Sequence, residues 1–423
     1  MKKKLCLFLV AGVLSGFLQA KDYLISTPNT SLLITATPGE KAKFRYYGSR
    51  ISEKEVQSVY DGGLAFATET YPVFGLNTAG ERAMAVTHAD GNMTLDLIVE
   101  QVRQYDSDEA EVTEIQMKDK VYPFILRQIY KSYKHTDIIS TWVEVENKGK
   151  KAITLYRFAS AFLPLHRGDN HMTHFHGHWG AEHTMDEEKL TNGQKVISNK
   201  DGLVNTETDN PSFMVTLDGA PQEESGQVFG GTLAWTGNYL IKMDVSNMKF
   251  NVVAGINEEN SHYILEAGET FATPEFAMTY STCGKGGVSR AFHRWAHRYK
   301  LMKGNTERDI LLNSWEGVYF KVNQQEMDQM MEAFSAMGGE LFVMDDGWFG
   351  HRESDDSSLG DWYVNEKKLK GGLSSLIERV NAEGLKFGIW YEPEMISPDS
   401  DLYRAHPDWC LHVPNRENSP ARL

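Results

Sequence analysis

Residues 341–349 read LFVMDDGWF, four apolar residues followed by two adjacent carboxylates, a glycine and a tryptophan. A short apolar run closed by turn-forming residues is the pattern of a buried strand. Two flanking segments share it, ILLNSWEGVYF at 310–320 and LKFGIWYEPEM at 385–395. Helical periodicity fills the gaps, so the predicted order is strand 310–315, helix 324–337, strand 340–344, helix 373–382 and strand 385–390. Strands that alternate with helices form a parallel sheet through right-handed crossovers, as in a (β/α)8 barrel or an open sheet. In barrels the reactive groups sit at the C-terminal strand ends. Trp315 with Glu316, Asp345 with Asp346, and Trp390 with Glu392 and Glu394 all fall at such ends.

A carboxylate accepts several hydrogen bonds, and an indole presents a flat apolar face to the C–H side of a pyranose. Three strand ends carrying both groups fit a neutral carbohydrate. A single Asp-Asp-Gly is more often a turn or a helix cap, and a lone tryptophan is more often core. Repetition is what favours a site. A divalent cation is the competing ligand for Asp345 and Asp346, but hard cations take more oxygens than these two supply. From the residues alone, Glu392 and Glu394 are also candidates for a catalytic acid and base.

Upstream, residues 23–281 hold short runs of Val, Ile, Thr, Tyr and Phe broken by Gly, Asn, Asp and Pro, the pattern of a large β-sandwich. IISTWVEVE at 138–146 closes on Asn147-Lys148-Gly149, and the run 230–240 turns at Gly237-Asn238. In VSRAFHRWAHRYK (288–300), Phe292, Trp295, Ala296 and Tyr299 recur at helical spacing, which reads as a linker helix. The expected division is a leader at 1–20, a sandwich at 21–285, a linker helix at 286–309 and the parallel α/β region at 310–423. His166, His171, His174, His176, His178 and His183 cluster in the sandwich. On a strand His174, His176 and His178 would share a face. Gly177 interrupts that strand and no carboxylate stands nearby in sequence to orient the rings, so a surface or interface role is expected rather than zinc. Lys41, Lys43, Arg45 and Arg50 read as a solvated edge-strand face.

With 423 residues, 41% of them hydrophobic and 24% charged, the chain suits two domains with sizeable cores. Lysine and arginine number 43 against 58 acidic residues, a net charge of −15 that repels phosphate backbones and anionic membranes. Neither nucleic acid nor a membrane is an expected partner. Lys2, Lys3 and Lys4 precede an apolar stretch at 5–18, and Gln19-Ala20 precedes Lys21, which reads as a secretory signal. The apolar stretch is shorter than the roughly 20 residues of a membrane-spanning helix, so export to the periplasm or the medium is expected. Beyond it, Cys283 and Cys410 provide neither a disulfide framework nor a cysteine zinc site.

These segments together resemble the α-galactosidases of glycoside hydrolase family 36. The resemblance runs from YPVFG (71–75) and MTHFHGHWGAE (172–182) through VFGGTLAWTGNY to LLNSWEGVYF, ELFVMDDGWFG, LGDWYVNEKKLKGGL, GLKFGIWYEPEM and HPDWCLHVPNR. It implies an N-terminal β-supersandwich followed by a (β/α)8 TIM barrel, here incomplete with about three βα units. The implied activity is retaining hydrolysis of terminal α-D-galactosyl residues in oligosaccharides of raffinose or galactomannan type. Trp315, Asp345, Asp346, Trp390 and Arg422 then line the galactose pocket, with the aspartates on the hydroxyls at O4 and O6. No cofactor and no metal are implied, and full-length members are expected to be homo-oligomers. In the family the nucleophile lies in a Lys-Trp-Asp segment and the acid/base follows later. The sequence carries neither segment and ends one residue after Arg422, so a truncated form without hydrolytic turnover is expected. The alternatives are an α-N-acetylgalactosaminidase of the same fold and a non-catalytic carbohydrate-binding or scaffold protein.

Overall fold

The computed structural model describes residues 20–75, 80–202 and 208–416. The leader at 1–19 lies outside them. Chain contacts divide the molecule into two units, the first ending at Gly304 and the second starting at Asn305.

Unit one is built from antiparallel sheets. A ten-stranded sheet is centred on Phe124–Tyr133, Ile139–Asn147, Phe276–Ser281 and Val228–Leu233, and a six-stranded sheet on Ile153–Leu165, Phe250–Ile256 and Tyr239–Val245. Asp22–Ser26, Thr30–Thr35 and Lys43–Ser49 form a third sheet. The strand within 138–146 alternates along its second half: Val143 and Val145 are buried while Trp142 and Glu144 are partly open. One apolar core draws on all three sheets, with Leu32 and Phe44, Leu126 and Phe229, and Leu163 and Val252 among its buried members. That shared interior is what makes the sheets a sandwich. The helix Gly284–Trp295 packs on this unit and ends in a π-helical turn, Ala296–Lys300. Its approach depends on Gly230, where an added Cβ would lie 2.3 Å from Val288 Cγ1. The glycines in VFGGTLAW therefore have a packing role.

Two readings of this unit are corrected. Lys41 pairs with Asp96 at 2.8 Å, Arg45 donates to Thr35 Oγ1 and Phe66 O, and Arg50 donates to Thr27 O. Lys41 and Arg45 are partly buried and brace this region, whereas Arg50 donates to the backbone and is still exposed as the sequence suggested. The histidines do have carboxylate partners, because the strand His171–His176 pairs antiparallel with Thr184–Lys189. His176 Nε2 lies 2.8 Å from Asp186 Oδ2, and His174 Nε2 lies 3.9 Å from Glu188. Pairing across a hairpin is invisible to a search along the chain. Among the described residues no group of three or more His, Cys, Asp or Glu is arranged to hold a metal.

Unit two contains a parallel sheet in the order Leu311–Asn313, Leu341–Met344, Lys386–Ile389. The helix Gln324–Ala336 starts where the Asn323 side chain accepts from the Glu326 amide, and it buries Met327, Met331 and Phe334, spaced four and three apart. Gly372–Ala382 buries Leu376 and Val380. Both helices pack with Phe342 and Met344 of the middle strand in a single core. Parallel strand–helix–strand units of this kind begin a (β/α)8 barrel; three strands are present and the sheet does not close among the described residues. No described helix is long and apolar enough to cross a membrane.

Candidate functional site

The middle strand ends at Met344, and the two carboxylates follow where the backbone leaves the sheet. Asp345 is 9% exposed and Asp346 is 2% exposed. Burying adjacent carboxylates requires donors for each. For Asp345 they come from the first strand: Asn313 Nδ2 donates to Oδ2 at 2.6 Å, and the Asp345 amide is itself held by Ser314 Oγ at 3.0 Å. Oδ1 accepts from the Asp346 amide at 2.7 Å. Among the described residues each Asp345 oxygen thus has one protein donor and one lone pair to spare.

Asp346 is committed differently. Oδ1 accepts from the Gly347 amide at 2.6 Å and Arg352 Nε at 2.9 Å, while Oδ2 accepts Arg352 Nη2 at 2.8 Å. Arg352 is 0% exposed, lies over the rings of Phe320 and Phe349, and donates through Nη1 to Asp355 O and Ser357 O. A bidentate guanidinium fixes a carboxylate in orientation as well as in charge. Lys368 adds a second cation, its ammonium donating to Phe320 O, Gly347 O and Arg352 O. Burial pushes the Lys368 amine below its ordinary range, and Glu353 and Asp346 work in the opposite direction. Together the two cations satisfy the carbonyls of a long turn that has no sheet or helix to do so. Gly347, at φ 98°, lets that turn lie against Phe320, whose Cα is 3.0 Å from where a Cβ would stand.

The tryptophans reach the same end. Trp315 is not the last residue of a strand, as the sequence suggested. The strand stops at Asn313, whose Oδ1 accepts the Trp315 amide at 2.8 Å, and Trp315 opens the helical turn Trp315–Val318. A side-chain cap at Asn313 competes with continued pairing. Trp390 follows Lys386–Ile389, its amide on Met344 O at 2.9 Å and its carbonyl accepting Trp348 Nε1 at 3.1 Å. Phe349, Trp362 and Tyr391 extend the aromatic wall, with Trp362 and Tyr391 centroids 4.2 Å apart.

The structure therefore brings Trp315, Asp345, Asp346 and Trp390 together at one end of the parallel strands. Arg422 lies outside the described residues. Glu392 is 8% exposed and Glu394 is open to solvent, so the two do not share an environment. Asn313, Ser314, Arg352 and Lys368 are the supporting residues that sequence reasoning missed. One signal was available, since two adjacent carboxylates in an apolar setting require a cation, and Arg352 is the first arginine after them. Clefts of about 330 Å³ beside Asp137 and Arg294 and about 290 Å³ beside His88 and Tyr122 are lined wholly by residues of unit one.

The glycosyl hydrolase family 36 N-terminal domain matches residues 40–266, and the melibiase domain matches residues 270–423. Alpha-galactosidase AgaA of Geobacillus stearothermophilus is 35% identical over 373 residues, which cover 84% of this chain and 51% of AgaA. Alpha-galactosidase Mel36A of Lactobacillus acidophilus is 37% identical over 323 residues, covering 75% of this chain and 43% of Mel36A. The crystal structure of an AgaA variant in complex with raffinose superposes with a TM-score of 0.88 at 30% identity, over 94% of this chain and 60% of that one. The chain spans about half the length of the relatives it matches.

Proposed function

Because the chain belongs to glycosyl hydrolase family 36, we propose that it is an α-galactosidase chain whose described residues supply the recognition wall of a galactose pocket. The observation that carries this reading is the unequal state of the two aspartates. Arg352 holds Asp346 from both oxygens, whereas among the described residues Asp345 keeps a lone pair on each oxygen beside the half-buried Trp315. A carboxylate with two open acceptor positions suits two hydroxyls of one sugar, and an indole suits the C–H face of the same ring. The axial O4 of galactose points where the equatorial O4 of glucose does not, so fixed acceptors at one end of the ring discriminate between the epimers.

Retaining hydrolysis needs two carboxyl groups roughly 5–5.5 Å apart, one as nucleophile and one as acid/base. The family's Lys-Trp-Asp segment does not occur in this sequence, and Glu392 and Glu394 occupy different surroundings. We assign no catalytic residue, and propose that the chain by itself binds galactose without turning over α-galactosides. Export remains part of the proposal, on the basic and apolar segment at the start of the sequence.

Calorimetric titration of the purified chain with galactose, glucose and N-acetylgalactosamine tests the reading. Saturable binding of galactose in preference to glucose is expected, and Asp345→Ala should weaken it about 10- to 100-fold, the worth of hydrogen bonds to a charged acceptor. Asp345 is the position to change because removing Asp346 would leave Arg352 buried and uncompensated. No heat with any sugar from a folded chain would refute the pocket. Preference for N-acetylgalactosamine would redirect it to the 2-acetamido sugar.

A further inference from the structure

Beyond Trp315–Val318 the chain reverses through residues 318–321, closed by the Lys321 amide on Val318 O at 3.0 Å. Tyr319 takes the first central position at φ 48°, ψ −135°. These are the angles of a type II′ turn, whose first central residue is ordinarily glycine because a Cβ is crowded there. The conformation also lies outside the small left-handed basin that asparagine tolerates, since its ψ is strongly negative. The other described non-glycine residues of positive φ are His183, Asn260, Lys303, Ser358 and Asn415, none with a ring as large.

Burial does not explain the tyrosine. It is 51% exposed, its amide donates to Trp315 O as any residue's would, and its hydroxyl donates to Glu316 Oε2 at 3.0 Å. Tyr363 and Tyr391 are equally exposed at the same end but are not among the residues of positive φ, so exposure alone does not single out Tyr319. A strained backbone that the surroundings hold in place while the side chain stays half in solvent is the pattern from which function is inferred.

Its position gives that function a shape. The Tyr319 ring meets Trp315 edge-on, with centroids 5.2 Å apart and planes at 79°. Trp315 is anchored by Asn313, which also binds Asp345. On its other side Tyr319 is joined to Phe320, whose backbone lies against Gly347 and shares the Lys368 ammonium with it. Tyr319 therefore stands one ring outward from the proposed galactose position, and its flat face is nearly perpendicular to that of Trp315. An α-glycosidic bond leaves the anomeric carbon axially, which turns the next sugar out of the plane of the galactose ring. Two aromatic faces near a right angle match that bend.

We propose that Tyr319 is a sugar-contacting residue that distinguishes α-galactosides from free galactose, its ring receiving the sugar attached to the galactosyl unit and its hydroxyl, with Glu316, meeting that sugar's hydroxyls. The proposal rests on reading the Asp345–Asp346 end as a galactose pocket. It assigns the strained turn a purpose, namely to aim a rigid aromatic face that a relaxed turn would place elsewhere.

The experiment is calorimetric titration of the full chain and its Tyr319→Gly and Tyr319→Phe variants with galactose and with raffinose, alongside thermal unfolding. Tyr319→Gly should leave galactose affinity within about twofold, weaken raffinose about tenfold through loss of the aromatic face, and leave Tm unchanged or higher as the strain is relieved. Tyr319→Phe should keep raffinose within about threefold, since the face remains. Equal loss of both sugars with a lowered Tm would show a structural tyrosine and overturn the proposal, as would undiminished raffinose binding by Tyr319→Gly. If the unaltered chain binds no galactose, the pocket itself is refuted and this proposal falls with it; if it binds galactose and the variants do not discriminate, only the role of Tyr319 is refuted.

Discussion

The sandwich and the parallel sheet bury different chemistry. In the sandwich, the interior shared by three sheets is apolar, with residues such as Phe44, Phe229 and Val252 fully enclosed, and charged pairs like Arg157–Glu258 lie near its boundary. In the parallel unit a fully buried arginine holds a buried aspartate, and both stand at the C-terminal strand ends. The sandwich closes its backbone with antiparallel ladders on both sides of most strands. The turn after Leu341–Met344 has no ladder, and Arg352 and Lys368 take its carbonyls instead. Both regions have apolar cores, and what sets the parallel unit apart is a buried guanidinium–carboxylate pair at the end that carries the proposed site. An ion pair of this kind is weak as a source of net stability but severe when broken, which suits a site whose acceptors must keep one geometry.

The largest predicted effect follows directly. Arg352→Met leaves Asp346 buried without its cation and should cost the parallel unit about 3–5 kcal/mol, read from denaturant unfolding followed by tryptophan fluorescence. Arg157→Met in the sandwich should cost less, because of its two partners Glu258 is partly open to water and Glu81, 2.6 Å from Arg157, keeps Lys242 at 3.1 Å. Equal losses would erase the distinction between the two regions. A smaller contrast lies in the glycines. Gly347→Ala combines positive φ with a backbone neighbour at 3.0 Å and should cost about 1–3 kcal/mol; Gly39→Ala, at φ 86° with nothing within 4 Å, should cost only the conformational penalty of about 1 kcal/mol. The mildest test is acid. Burial holds His88, His166 and His174 of the sandwich below their ordinary value near 6.5. The unfolded chain then binds more protons than the folded one in the window from about 6.5 down to the depressed values, so sandwich stability falls as the pH drops through it. A sandwich melting temperature that rises between pH 7 and pH 5.5 would contradict this.

Much of the parallel unit was legible because the signals are local. Apolar runs of four residues ending in carboxylate or indole mark strand and strand end together, and Met327, Met331 and Phe334 mark a helix face by spacing alone. Trp315 was misread by one element because the side-chain turn at Asn313, which ends the strand two residues early, leaves no mark in the apolar pattern. Lys368 was illegible because it satisfies groups across a turn that has no period, and Arg352 had only its place after the two carboxylates to mark it. The histidines failed for a related reason, since Asp186 and Glu188 reach them only across a hairpin. Tyr319 carries no sequence mark at all, since nothing in EGVYF announces a glycine-type turn built without glycine.

A crystal structure of the chain with galactose tests the central claim most directly. One sugar is expected at the end of Leu341–Met344, with hydroxyls within hydrogen-bond distance of both Asp345 oxygens, the Trp315 indole against its C–H face, and the Arg352–Asp346 pair unchanged. Galactose bound instead in a cleft of the sandwich, with the Asp345 oxygens unvisited, would contradict it.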